Sequence, residues 1–169
     1  MTVLNSLFNY KAWIDQEFFS VLAALPSQHG EQLHTCIRLL NHIHVVDRIF
    51  RAHLAGEAHP FDATNTTATP SLAQLRADVA DTDAWYANYV AKVPAAALPE
   101  VIEFTFTDGD AGRMSREEML LHVVTHGAYH RGNVGQVLKS IPVAPPRDLY
   151  TKFLHDSEPG RRAFHRPAA

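Results

Sequence analysis

Three histidines, His122, His126 and His130, stand at successive spacings of four in the stretch LLHVVTHGAYHRGNVGQV, residues 120–137. On a helix a four-residue step keeps side chains on one face, drifting by roughly 40° per step. His126 and His130 share a stripe with Met119, Val123, Val134 and Val137, and that stripe is the apolar, core-facing one. Imidazoles aimed into an apolar interior are costly unless something satisfies their nitrogens. A divalent metal would do so, and histidines at i and i+4 are a known grip for one. The competing reading is plain packing, because 11 histidines in one chain produce such spacings by chance. His122 drifts off the stripe and lies four residues after Glu118, so a surface Glu–His pair is its alternative role.

A third ligand has to come from another element. In the helical pattern over residues 33–54, Thr35, Leu39, His42, Val46, Ile49 and His53 form one stripe, with His42 between Leu39 and Val46. His42 is therefore expected to point inward. His44 falls about 200° around the helix from it, on a face with Asp47, Arg48 and Arg51, and is expected at the solvated surface. His34 and His53 lie near the helix ends and are expected to be partly exposed.

The elements that carry these residues follow from periodicity. Residues 2–25 form the first helical pattern, with Leu4, Leu7, Phe8, Ile14, Phe18, Val21, Leu22 and Leu25 recurring at threes and fours, and Pro26 stops it. The aromatic residues here are assigned to core packing. After the second helix, residues 56–69 make a loop too long for a tight turn, of the kind that often lies over a site. Thr69 and Pro70 supply a cap and first position for a third helix reaching Val93. Its Asp78, Asp81 and Asp83 are read as a solvated face. Residues 101–106 alternate as a strand does, and the Asp108–Gly112 segment turns the chain, predicting a short hairpin or an extended excursion. Ser115 and Glu118 form a capping box for a fourth helix from Arg116 to about Ser140. Gly127, Gly132 and Gly135 inside it suggest that something packs closely there. Residues 148–155 can add one or two helical turns. The fold class expected is all-α: a four-helix bundle with one long crossover connection and the short hairpin or excursion before the last long helix. The bundle is assigned residues 1–155 and a polar, frayed tail residues 156–169, whose Arg161, Arg162, His165 and Arg166 are read as solvated.

Composition narrows the classes. The chain has 169 residues, 46% apolar and 20% charged, enough for one domain with a sizeable core. A net charge of −3 without a basic stripe argues against nucleic acid as the main partner. The lone Cys36 cannot make an internal disulfide and is read as a buried, inert thiol. No membrane-spanning run and no signal-peptide pattern is present in the sequence, so a cytoplasmic location and no membrane partner are expected.

Leu40-Asn41-His42, then Val46-Asp47-Arg48-Ile49-Phe50, and later Thr125-His126-Gly127-Ala128-Tyr129-His130-Arg131-Gly132-Asn133, resemble the DinB family, the DinB/YfiT-like superfamily of metalloenzyme-like proteins that takes its name from a DNA-damage-inducible member. The likeness runs from LFNYKAW near the start to Asp148-Leu149-Tyr150. It implies a three-histidine divalent metal site made by His42, His126 and His130, the residues that the stripes select. It also implies a homodimer. Thr125 and Asn133 stand where the family often has asparagine and glutamine, a departure that bears on ligand orientation and removes no ligand.

Three neutral imidazoles leave at least one coordination position open, which is the catalytic pattern. Zinc or nickel is the first expectation for the ion, with iron, manganese or copper as alternatives. Some relatives are similar to thiol-dependent transferases, so a small-molecule substrate and a low-molecular-weight thiol are the expected partners. A metal-dependent hydrolase and a non-catalytic metal-binding stress-response protein are the alternatives, and a bundle with merely packed histidines is the third. Asp47, Glu103 and Tyr129 are available as a general base, but none is tied by spacing to the ligands. No catalytic residue is assigned.

Overall fold

Side-chain caps start three of the four long helices, and a glycine stops the second. The computed structural model describes residues 2–162. Helix α1 spans Val3–Ala23, and the Thr2 hydroxyl accepts from the Asn5 N–H at 3.2 Å. A single 3₁₀ turn, Ser27–His29, leads into α2, Gly30–Ala55. Gly56, at φ 71°, ends α2 in the left-handed conformation that a side chain rarely adopts, and the Glu57 N–H closes back on the Ala52 carbonyl at 2.9 Å.

Helix α3 spans Leu72–Lys92 and is capped by Ser71, not by Thr69 as the Thr-Pro pair suggests. Thr69 is engaged elsewhere, its hydroxyl 3.1 Å from His34 Nε2. Strands β1, Val101–Thr105, and β2, Ala111–Ser115, form an antiparallel hairpin that pairs Phe104 with Gly112. The capping box on Ser115 and Glu118 is present and starts α4, Arg116–Lys139. Helix α5, Tyr150–Ser157, docks on α1, where the Tyr150 hydroxyl reaches Ser6 at 2.7 Å. The expectation for the tail from 163 onward, His165 and Arg166 included, lies outside the described residues; within them, Arg161 pairs with Glu158 at 2.9 Å.

Among the described residues the fold is thus mostly helical, with five α-helices and a two-stranded sheet. The principal helix neighbours are α2 with α4 and α1 with α3, and α2 also touches α3 and α1 touches α4. Two apolar clusters result. One gathers Ile14, Phe18, Leu22, Leu40, Ile43, Leu75, Val134 and Leu138; the other gathers Phe8, Phe50, Leu54, Tyr86, Val90, Leu120 and Val123. Along each of the four long helices one cluster gives way to the other near the middle, and the site residues sit at that level.

The hairpin seals one end of the second cluster. Gly112 lets the Phe104 ring lie across β2, since a Cβ there would fall 2.5 Å from that ring and 2.8 Å from Phe106. Phe104 in turn stacks on His53, centroids 4.6 Å apart, and meets Phe50 at 6.2 Å. Gly112→Val is expected to push Phe104 off this seat and cost about 1–3 kcal/mol, the usual range for overpacking. Urea unfolding at pH 7.5 measures it, and an unchanged midpoint would show that the ring has room to move.

Candidate metal centre

Helices α2 and α4 bring His42, His126 and His130 together. One ligand-type atom from each lies within 4.8 Å of the others. The imidazole centroids are 4.9 Å apart for His42 and His126, 4.5 Å for His42 and His130, and 4.5 Å for His126 and His130. His42 Nε2 and His126 Nε2 face each other at 3.0 Å. All three side chains are half-buried, so the cluster lies at the edge of the α2–α4 seam and not in the apolar interior.

A backbone carbonyl decides how His42 is presented. Its Nδ1 lies 2.7 Å from the Thr64 carbonyl oxygen. A carbonyl only accepts, so Nδ1 carries the proton and Nε2 keeps the lone pair that faces His126. This is the support that a metal-binding histidine ordinarily has behind it. The loop that supplies it is itself tied to α2, through Asn41 Nδ2 to Thr66 Oγ1 at 2.7 Å and Arg38 Nη1 to the Thr66 carbonyl at 2.6 Å.

The cluster also suits an ion chemically. Burial first, then the neighbouring His130 and His42, hold the His126 imidazole down to about 3, so it is unprotonated at neutral pH. His130 is lowered as well, by burial and then by His42. Nδ1 of His126 and Nδ1 of His130 are buried and have no hydrogen-bond partner among the described residues. The three imidazoles therefore converge with two ring nitrogens that the protein leaves unsatisfied, which fits a divalent cation.

The remaining sequence candidates fall elsewhere. His122 stays outside the group: its ring stacks near His126 at 5.3 Å and leans on Phe50 at 4.7 Å. Glu118 is occupied by the capping box and does not pair with it. His44 is not a surface residue. It is only 5% exposed, and burial pushes it down to about 4. The assigned stripe on α2 is right at Val46 and Ile49, which are buried, but the most buried line runs one position further on, through Cys36, Leu40, Ile43, Asp47, Phe50 and Leu54, while Thr35 is exposed. Among the possible bases, Glu103 is exposed on the hairpin and Tyr129 is 70% exposed, its ring 5.0 Å from His130. Cys36 is buried as expected, which raises its thiol to about 11.

Behind the histidines lies a charge network that the sequence reading missed. Lys11 Nζ is 3.0 Å from Asp15, 2.8 Å from Asp47 and 2.7 Å from Asp83, all buried. Arg131, next to His130, binds Asp15 at 3.2 Å and Asp148 at 2.9 Å, and the Tyr10 hydroxyl donates to Asp148. Asp83 is thus not on a solvated face, although Asp81 is exposed. Gly127 gives this network room: a Cβ there would meet Arg131 Nη1 at 3.1 Å and Lys11 Cε at 3.8 Å, so part of the close packing expected around the α4 glycines is present. Gly132 has open space, and Gly135 meets only Pro145 at 3.7 Å. A periodic signal was available, because Phe8, Lys11, Asp15, Phe18 and Leu22 recur at core spacing.

Burial, offset only in part by Lys11, raises Asp83 to about 7 and Asp47 to about 6. A carboxyl whose folded value exceeds its unfolded value of ~3.9 binds its proton more tightly when folded. Its contribution to stability is therefore complete below about pH 4 and declines as pH rises toward 7. Relative to Asp83→Asn, the unsubstituted protein is expected to lose stability between pH 5 and pH 8, measured by urea unfolding. A difference that does not vary with pH would show that Asp83 is ionised throughout.

The family model described as DinB family matches residues 1–162. This chain belongs to the DinB family. Comparison with curated proteins and with solved structures yields no match. No helix among the described residues of this DinB-family chain is long and apolar enough to cross a membrane.

Proposed function

We propose that this DinB-family chain is a divalent-metal protein that holds one ion on His42, His126 and His130, and that it acts as a metal-dependent enzyme of the thiol S-transferase type. The observation that carries the metal reading is the His42 lone pair, fixed by the Thr64 carbonyl and facing His126 Nε2 at 3.0 Å. A bound divalent ion supplies Lewis acidity and lowers the pKa of a coordinated group. The residues contribute the rest. The half-buried edge of the α2–α4 seam leaves the centre within reach of a small molecule. His122, backed by the buried Phe50, stands beside His126 as an aromatic face against which a substrate can lie. Among the described residues no carboxylate stands in the three-histidine group; the side chains beside it are the His122 imidazole and the Tyr129 phenol.

A metal-dependent hydrolase would use the same centre, and a non-catalytic metal-binding role in stress would need only the ion. Family resemblance supports a homodimer, a four-helix bundle with the 56–69 segment as its crossover, and a cytoplasmic enzyme acting with a low-molecular-weight thiol. Zinc or nickel heads the choice of ion, ahead of iron, manganese and copper.

Elemental analysis of tag-free protein tests the metal reading, and we expect about one ion per chain, with none after His42→Ala. Incubation of the loaded protein with a panel of thiols and electrophiles, with and without chelator, tests the transferase reading. Turnover that needs both metal and thiol supports it; ester hydrolysis without thiol supports the hydrolase. Protein that carries no ion and takes up none of those offered refutes the centre altogether.

A further inference from the structure

On the face of α2 turned away from the three-histidine group, the loop after Gly56 arches over a cavity of ≈ 400 Å³ between α2 and α3, next to a second of ≈ 270 Å³. Four side chains line both and form the wall they share: His44, Arg48, Phe61 and Asp78. The larger volume lies within the ~300–1,000 Å³ usual for small-molecule sites.

The polar groups on this wall are only half used. His44 is 5% exposed, and its Nδ1 has no hydrogen-bond partner among the described residues. Arg48 is exposed and has no carboxylate partner among them; its guanidinium lies over the Phe61 ring at 4.9 Å. Asp78 accepts from Gln74 through one oxygen at 2.8 Å, leaving the other. Arg51, by contrast, is already shared with Asp81 at 3.4 Å. A simple anion would satisfy Arg48 but face Asp78, and a simple amine would do the reverse.

We propose that this wall is a binding site for a small zwitterion carrying a carboxylate and a primary amine, a free amino acid in chemical class. The carboxylate lies in the Arg48 fork, the ammonium on Asp78, and His44 hydrogen-bonds the ligand at the floor. The site does not depend on the metal reading, because none of these side chains belongs to the three-histidine group.

The test is an NMR titration of the full-length protein with each of the common L-amino acids, followed by N-acetyl and methyl-ester forms of the best binder. At least one free amino acid is expected to bind with a Kd between about 10 µM and 1 mM, and blocking either group to weaken it at least about tenfold. In Arg48→Gln the methyl ester and the free form should bind alike; in Asp78→Asn the N-acetyl and free forms should. Arg48→Lys, which keeps charge and stem, serves if Arg48→Gln is poorly folded, and is expected to weaken binding through loss of the fork. No shift at His44 or Phe61 up to 10-fold above that range would overturn the proposal. Blocked forms that bind as tightly as the free amino acid, or full affinity in both variants, would overturn it as well.

Discussion

Lys11→Met is expected to leave the protein unfolded at pH 7.5. The lysine is 1% exposed and is the one ammonium among three buried carboxylates, at 2.7–3.0 Å from each. Removing one partner of a single buried ion pair costs about 3–5 kcal/mol, because the other charge is stranded without water. Here three charges lose that partner, and Arg131 reaches only Asp15 among them. Native domains have about 5–15 kcal/mol in hand, so the loss is of the order of the whole stability. Lowering the pH should restore part of the fold by protonating the stranded carboxyls. Adding Asp83→Asn to the variant should help in the same direction. Far-UV circular dichroism from pH 4.5 to 8 reads both effects. A Lys11→Met protein that melts cooperatively near the parent temperature would mean that the network can relax or take up water, and that the ion pairs are worth much less than their geometry suggests.

His126→Ala should abolish tight metal binding while leaving the metal-free protein about as stable as before. These two outcomes come from one feature of the site. Without an ion, His126 offers a half-buried ring whose Nδ1 has no partner, and whose Nε2 meets only another imidazole at 3.0 Å. Little favourable bonding is lost with it, so the metal-free melting point is expected to move by only a few degrees, equivalent to about 1 kcal/mol. With an ion, the same change removes one of three ligands, and the affinity is expected to fall by about 1,000-fold or more. Thermal melts with and without added zinc separate the two. The parent should gain stability with zinc concentration, as a ligand that binds only the folded state requires. The variant should show no gain. A parent that gains nothing would reduce the histidines to packing. A variant that still gains fully would place the ion elsewhere.

The histidine cluster was found for a reason that the structure modifies. The stripe read from the sequence on the second helix is displaced by one position from the most buried line, whereas the one on the fourth is right at Met119, Val123 and Val134 and differs at its histidines, which are half-buried. On α4 that line takes in Met119, Leu120, Val123, Val134 and Leu138, all fully buried, together with Arg131, and His126 and His130 lie at its side. On α2 it passes through Ile43 and Asp47, and His42 again lies one residue away. That displacement places the imidazoles at the seam between two helices, half-buried and mutually accessible, where an ion and a small molecule can both arrive. A position on the core line itself would have been closed to them.

The same displacement hid the charge network. Lys11, Asp47, Asp83 and Arg131 each stand on the core line of a different helix. Read one helix at a time, a charge at such a position either bends the stripe to avoid it or is assigned to solvent, as Asp83 was. Only the assembled helices show that the charges meet, since their partners are up to 116 residues away along the chain. His44 was misplaced by a related error: its face is polar in sequence, but α3 and the long loop cover it.

What the amino-acid order settles alone is local. The four long amphipathic segments, the capping box at Ser115, the loop from Gly56 and an extended segment followed by a turn over residues 101–112 follow from spacing and from backbone preferences that act within a few residues. So does the presence of imidazoles on neighbouring turns of the fourth helix. What only the folded chain decides is which helix faces which, and by how much each is rotated. That rotation puts His42 against His126, carries the Thr64 carbonyl onto His42, and closes four helices around Lys11. A turn of the helix by one residue moves a side chain by roughly 100°, and the forces that fix it are contacts between segments far apart in sequence.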